Sequence, residues 1–122
     1  MSGTILVIDD EPTVRETLEE FFTTVGYDVA TAATATAGRE QAAARLPDVI
    51  LADLRLPDGD GLALIDVLRT ADEDAAIIVL TGHADVPTAV KAMQRGAADL
   101  LQKPVDLAAL DAAVRRAMDT VR

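Results

Sequence analysis

The chain contains no cysteine, and only three of its 122 residues, Phe21, Phe22 and Tyr27, are aromatic. Without cysteine there is no disulfide frame, no thiolate nucleophile and no cysteine-ligated metal. With so few rings the core must be Val, Ile and Leu, while 23 alanines supply helix propensity and close packing. No apolar stretch approaches the roughly 20 residues needed to span a bilayer, and Met1 leads into an apolar run without a signal-peptide pattern. A cytoplasmic domain with no membrane partner is expected. Cations are also scarce: 11 Lys and Arg against 21 Asp and Glu give a formal charge of −10. Direct nucleic-acid contact by this domain is not expected, because counterion release needs Lys or Arg on the contact face.

What is present is a set of short apolar runs, each followed by a polar residue. Ile5–Ile8 leads to Asp9 and Asp10, Val49–Ala52 to Asp53, Ile77–Leu80 to Thr81, and Leu100–Leu101 to Lys103 and Pro104. Strands are expected at Thr4–Ile8, Tyr27–Ala32, Val49–Ala52, Ile77–Leu80 and Asp99–Gln102. Helical spacing of apolar residues predicts a helix from Pro12 to Val25, stopped by Gly26. Further helices are read at Ala35–Leu46, across Leu62, Ile65 and Leu68, at Val86–Arg95 and at Asp106–Met118. Strands alternating with helices give one α/β domain over 1–122, a five-stranded parallel sheet with helices on both faces. Right-handed crossovers make 2-1-3-4-5 the expected strand order, which sets the first and third strands side by side at the switch point. Asp9, Asp10 and Asp53 then meet in one crevice.

Two unit charges about 4 Å apart repel by roughly 4 kcal/mol at an effective dielectric near 20. Three carboxylates therefore need a cation or raised pKa values. An all-oxygen set suits a hard divalent ion such as Mg²⁺, with Mn²⁺ able to substitute. Three carboxylates, one divalent cation and Lys103 sum to zero charge, a balanced setting for phosphoryl transfer to an aspartate. Loop charges Asp58, Asp60, Asp72, Glu73 and Asp74 are most simply solvated, and His83 reads as an exposed loop residue.

Asp9-Asp10-Glu11-Pro12, Asp53 through Gly61, Leu80-Thr81-Gly82-His83, and Gly96-Ala97-Ala98-Asp99 through Lys103-Pro104 together resemble the receiver domain of two-component response regulators, a CheY-like (flavodoxin-like) fold. The match spans essentially the whole chain. The run from Thr81 to Met93 is similar to regulators of the NtrC/DctD and FixJ kinds. The resemblance implies that Asp53 is the phosphoacceptor, that Asp10 ligates Mg²⁺ directly and Asp9 mainly through water, and that the Arg55 backbone carbonyl adds a ligand. It implies that Thr81 and Lys103 hold the phosphoryl oxygens, and that a cis bond before Pro104 aims Lys103 inward. His83 and the Arg55 side chain are placed to modulate phosphate lifetime.

The implied donor is the phosphohistidine of a sensor histidine kinase or phosphotransfer protein, with self-catalysed transfer and slow autodephosphorylation. The implied output is a change of the surface made by the fourth helix, fifth strand and fifth helix (α4-β5-α5, about Val86–Met118), controlling a homodimer or an output domain beyond Arg122, as in a transcriptional regulator. The alternative is a stand-alone receiver used as a phosphorelay intermediate or docking module. One departure stands out: Leu100 fills the switch position where receivers usually carry Tyr or Phe. A flavodoxin is disfavoured because Asp-Asp-Glu-Pro replaces a phosphate cradle after the first strand. A haloacid-dehalogenase-type phosphatase wants a carboxylate where Arg55 stands, and the P-loop motif is absent.

Overall fold

The computed structural model describes residues 3–72, 74–82 and 86–120. Its elements run β1 (Thr4–Ile8), α1 (Pro12–Val25), β2 (Asp28–Ala32), α2 (Ala35–Arg45), β3 (Val49–Asp53), α3 (Gly61–Ala71), β4 (Ala76–Thr81), α4 (Val86–Gln94), β5 (Asp99–Gln102) and α5 (Leu107–Thr120). The five strands form one parallel sheet in the order β2-β1-β3-β4-β5, as expected. A two-residue antiparallel pair, Arg55–Leu56 with Gly59–Asp60, closes the loop after β3, which sequence patterning did not anticipate.

Side-chain alternation along the strands splits the core in two. Leu6, Ile8, Ile50, Ala52, Ile77 and Val79 face α2, α3 and α4, and Ile5, Val7, Val49, Leu51, Ile78 and Leu80 face α1 and α5. Both faces are covered, so the central strands are apolar throughout instead of alternating with polar residues. Among the described residues, the buried polar side chains Asp9, Asp53 and Thr81 lie at or just past the strand C-terminal ends.

Element ends differ from expectation by one or two residues. β2 starts at Asp28, because Gly26 is left-handed (φ 117°) as the cap of α1 and Tyr27 turns inward against Phe22. Leu46 is not helical but left-handed, with φ 46°, since Pro47 disfavours the helical region for the residue before it. β3 extends through Asp53, and β4 gains Ala76 and Thr81.

Two glycines mark close approaches. A Cβ on Gly38 in α2 would sit 2.6 Å from Ile8 Cδ1, and one on Gly61 would sit 2.4 Å from Leu54 Cα. At Gly38 the crowding atoms belong to a side chain, which gives more readily than backbone, whereas the Leu54 backbone is held because Gly61 N–H bonds Leu54 O at 3.1 Å. Gly61→Ala is therefore expected to destabilise the fold by about 1–3 kcal/mol, and Gly38→Ala by less, read as the drop in urea midpoint.

Candidate functional site

The strand register places the acidic residues. Ile8 pairs with Ala52 between β1 and β3, so Asp9, the next residue, comes level with Asp53. The Asp9 N–H continues the β1–β2 ladder to Ala32 O at 3.0 Å, which fixes the start of the loop. Each aspartate then anchors one oxygen in its own loop. Asp9 Oδ1 accepts from Glu11 N–H at 2.9 Å, and Asp53 Oδ1 accepts from Arg55 N–H at 3.0 Å. Such Asx-type turns orient a carboxylate through its own backbone. The second oxygen of each faces the crevice.

Lys103, one of two lysines in the chain, fills that crevice from the β5 side. Its Nζ lies 2.8 Å from Asp9 Oδ2, 3.0 Å from Glu11 Oε1 and 3.1 Å from Asp53 Oδ2. The Glu11 and Asp53 contacts are hydrogen bonds. The Asp9 contact is a close ion pair off the hydrogen-bonding direction, so buried Asp9 Oδ2 has charge compensation but no aligned donor. The Lys103–Pro104 peptide bond is cis, and Lys103 N–H bonds Thr81 O at 2.8 Å, tying the end of β5 to the end of β4. Arg15 Nη1 donates to Asp9 O at 2.8 Å, bracing the acidic loop from α1.

Sequence reasoning passed over Glu11. It precedes Pro12 at the N-cap of α1, yet its side chain makes no cap bond and reaches Lys103 instead. Its position beside Asp9 and Asp10 was the available signal. Asp10 is exposed at the crevice mouth. One oxygen from each of Asp9, Asp10, Glu11 and Asp53 can lie within 4.8 Å of the others. Hard oxygen donors at that separation, one of them a buried oxygen with no aligned donor, fit a divalent cation of the Mg²⁺ or Mn²⁺ type. With Glu11 included, one such cation and Lys103 leave the site one charge negative instead of neutral.

The remaining candidates are placed as follows. Thr81 ends β4 and is buried; Asp53 pairs with Leu80, so Thr81 lies one residue beyond it on the next strand. The Arg55 side chain is exposed, and its backbone pairs with Asp60. Leu100 in β5 is half-buried against the α3 and α4 side of the core. Pro104 is exposed and lines a cleft of about 500 Å³ between α1 and the segment entering α5, together with Glu11, Val14, Leu18, Gly82 and Leu107. His83 lies outside the described residues, as does Glu73.

The loop acids are not simply solvated. Asp58 Oδ1 accepts from Ala35 N–H at 2.7 Å, and Oδ2 accepts from Thr36 N–H at 3.0 Å and the Thr36 hydroxyl at 2.7 Å. The loop after β3 is thereby strapped to the start of α2. Asp60 caps α3 through Leu62 N–H at 3.0 Å, and Asp72 accepts from Asp74 N–H at 3.0 Å. Adjacent backbone donors exposed at helix starts were the missing information.

A model of the response regulator receiver domain matches residues 5–115. The chain belongs to that family. It is 40% identical over 118 residues to the C4-dicarboxylate transport transcriptional regulatory protein DctD of Pseudomonas aeruginosa, covering 97% of this chain and 26% of that one. It is likewise 40% identical over 116 residues to the tetrathionate response regulatory protein TtrR of Salmonella typhimurium, covering 95% and 56%. The chain thus spans a quarter to just over half the length of these curated relatives. Among solved structures, a receiver domain protein from Clostridium thermocellum superposes with a TM-score of 0.89 at 32% identity, covering 95% of this chain and 94% of that one. The beryllofluoride-activated NtrC4 receiver domain dimer superposes at 0.92 with 33% identity, covering 98% of each. This receiver is related to transcriptional regulators, and phosphorylation and Mg²⁺ are typical of its family.

Burial is the largest influence on Asp9 and pushes its carboxyl above the usual 3.8, outweighing Lys103 and the Glu11 N–H. At Lys103 burial acts to lower the pKa, but its contacts with the carboxylates of Asp9, Glu11 and Asp53 outweigh it and hold the ammonium above 10.5. A carboxyl raised on folding opposes the fold above pH 3.8, and that cost fades as pH falls through its folded value. The raised Lys103 contributes stability that is fully present below pH 10.5 and is lost only as pH rises through its higher folded value. Asp9→Asn is therefore expected to stabilise the metal-free protein at pH 7 by something on the order of 1 kcal/mol, measured by urea unfolding in EDTA. That gain should shrink as the pH approaches 4.

Proposed function

We propose that this receiver domain is a phosphorylation-dependent switch that accepts a phosphoryl group on Asp53. The observation that carries the reading is the placement of Asp53: 5% exposed, hydrogen-bonded to Lys103, and grouped with Asp9, Asp10 and Glu11 at one sheet edge. Asp9, Asp10, Asp53 and the Arg55 carbonyl would hold Mg²⁺, which supplies charge neutralisation for the incoming phosphoryl group. An Asp53 oxygen forms the O–P bond as the N–P bond of a histidine kinase or phosphotransfer protein breaks. Lys103 pairs with the transferred oxygens, and the Thr81 hydroxyl donates to them. The cleft beside Lys103 and Gly82 is the donor's approach.

Output runs through α4, β5 and α5. Val86, Val90 and Met93 recur at one-turn spacing on α4 and are 76%, 47% and 46% exposed. On α5, Ala108, Ala109, Ala112 and Arg115 are exposed while Leu110 and Val114 are buried. An apolar stripe beside small side chains suits a self-association face, and the activated dimer of the NtrC4 receiver supports that reading. With Leu100 offering no ring to re-pack, coupling runs mainly through Thr81 and the segment leading to Val86. The relatives support an output domain beyond Arg122 in a cytoplasmic transcriptional regulator, with this acidic domain making no nucleic-acid contact itself. Among the described residues no helix is long and apolar enough to cross a membrane.

Acetyl phosphate is expected to add one phosphoryl group, by intact mass, in Mg²⁺ but not in EDTA. Asp53→Asn should abolish the addition and Asp10→Ala nearly so; a modified Asp53→Asn would move the acceptor elsewhere. In light scattering, beryllofluoride with Mg²⁺ should shift the protein from monomer toward dimer, and Val90→Asp should reverse the shift without blocking phosphorylation. A mass unchanged by activation at any concentration would remove dimerisation from the account.

A further inference from the structure

Three carboxylate oxygens lie within 3.1 Å of Lys103 Nζ. Those of Glu11 and Asp53 take aligned N–H donors, and Asp9 Oδ2 crowds the remaining space as an ion pair. A phosphoryl oxygen brought against an ammonium so enclosed competes with these contacts. Asp9 cannot leave cheaply: its side chain is fully buried, and its other oxygen is held by Glu11 N–H. Asp53 is the residue being phosphorylated and stays in place. Glu11 is different. Its side chain is 58% exposed, it makes no bond to the start of α1, and its one described polar contact is Lys103. Turning it out to water exchanges one exposed ion pair for hydration, a contact worth little to stability.

We propose that Glu11 is a placeholder: its carboxylate occupies on Lys103 the position that a phosphoryl oxygen takes on activation, and its release sets how tightly the activated state is held. This rests on Asp53 being the acceptor. Glu11 is thus a positioning residue acting through Lys103. It keeps the ammonium at the crevice mouth before phosphorylation and competes with the phosphoryl group afterwards. A side chain of that charge also opposes an anionic donor, so contact and charge must be separated by experiment.

The test uses beryllofluoride as the phosphoryl mimic at saturating Mg²⁺, titrated by calorimetry, with Mg²⁺ affinity measured separately. Because Glu11 supplies no cap bond, Glu11→Gln and Glu11→Asp should leave the fold intact, checked by urea midpoint. Glu11→Gln removes the charge, whereas Glu11→Asp keeps it but is one methylene too short to reach Lys103. Both variants are expected to bind beryllofluoride about three- to tenfold more tightly than the parent, with Mg²⁺ affinity within about threefold. Unchanged binding in both would overturn the proposal. Tighter binding by Glu11→Gln alone would also overturn it, leaving through-space repulsion as the cause. Loss of Mg²⁺ affinity by more than tenfold in Glu11→Gln would make Glu11 a metal ligand instead. Failure of the underlying acceptor assignment reads out differently, as beryllofluoride binding by Asp53→Asn equal to that of the parent.

Discussion

Lys103 holds together an edge that would otherwise repel itself. Asp9 and Asp53 project from adjacent strands into a buried crevice, and Glu11 closes over its mouth, with one ammonium within 3.1 Å of all three. Its position depends in turn on the β4–β5 pairing, through the bond from Lys103 N–H to Thr81 O. The acidic edge and the far strand of the sheet are therefore one mechanical unit. Asp53 and the end of β4 are thus both tied to the same lysine.

Alanine makes this arrangement compact. Helix α2 buries only Ala35, Gly38 and Ala42, so it can lie close to Ile8, next to the acidic loop. Asp58 then ties the loop after β3 to the start of the same helix, and Gly61 ties the other end of that loop to Leu54. The loop that carries Arg55 is pinned at its tip and its base. Asp58 is exposed, and its hydrogen bonds to Thr36 and Ala35 hold its carboxyl below the usual range, so the strap stays formed down through mildly acidic pH.

Helix α4 contrasts with this. Only Ala92 is fully buried along it, while Val86, Val90 and Met93 face outward. An element with so small a share of the core is the least costly one to move, and it follows directly on the segment leaving Thr81. The domain is thus firmly tied around Asp53 and more loosely attached at α4.

By itself the sequence determined the layered α/β architecture, because short apolar runs alternating with helical periodicities allow few other packings. It also determined the meeting of Asp9, Asp10 and Asp53, since strand order follows from crossover handedness, and each acid ends a buried strand or comes within two residues of its end. Element ends were legible wherever Gly or Pro restricts the backbone, as at Gly26 and Pro47. What only the tertiary structure decided are the partners of exposed charges. Beyond its place beside Asp9 and Asp10, nothing in local patterning marks Glu11 as a partner of Lys103, and nothing distinguishes Asp58 from any other loop acid. Their roles come from Lys103, 92 positions away, and from Ala35 and Thr36, more than 20 away. Periodicity reports which residues must leave water, and a long side chain at the surface is under no such constraint. Its contact is set by whatever the fold brings within reach.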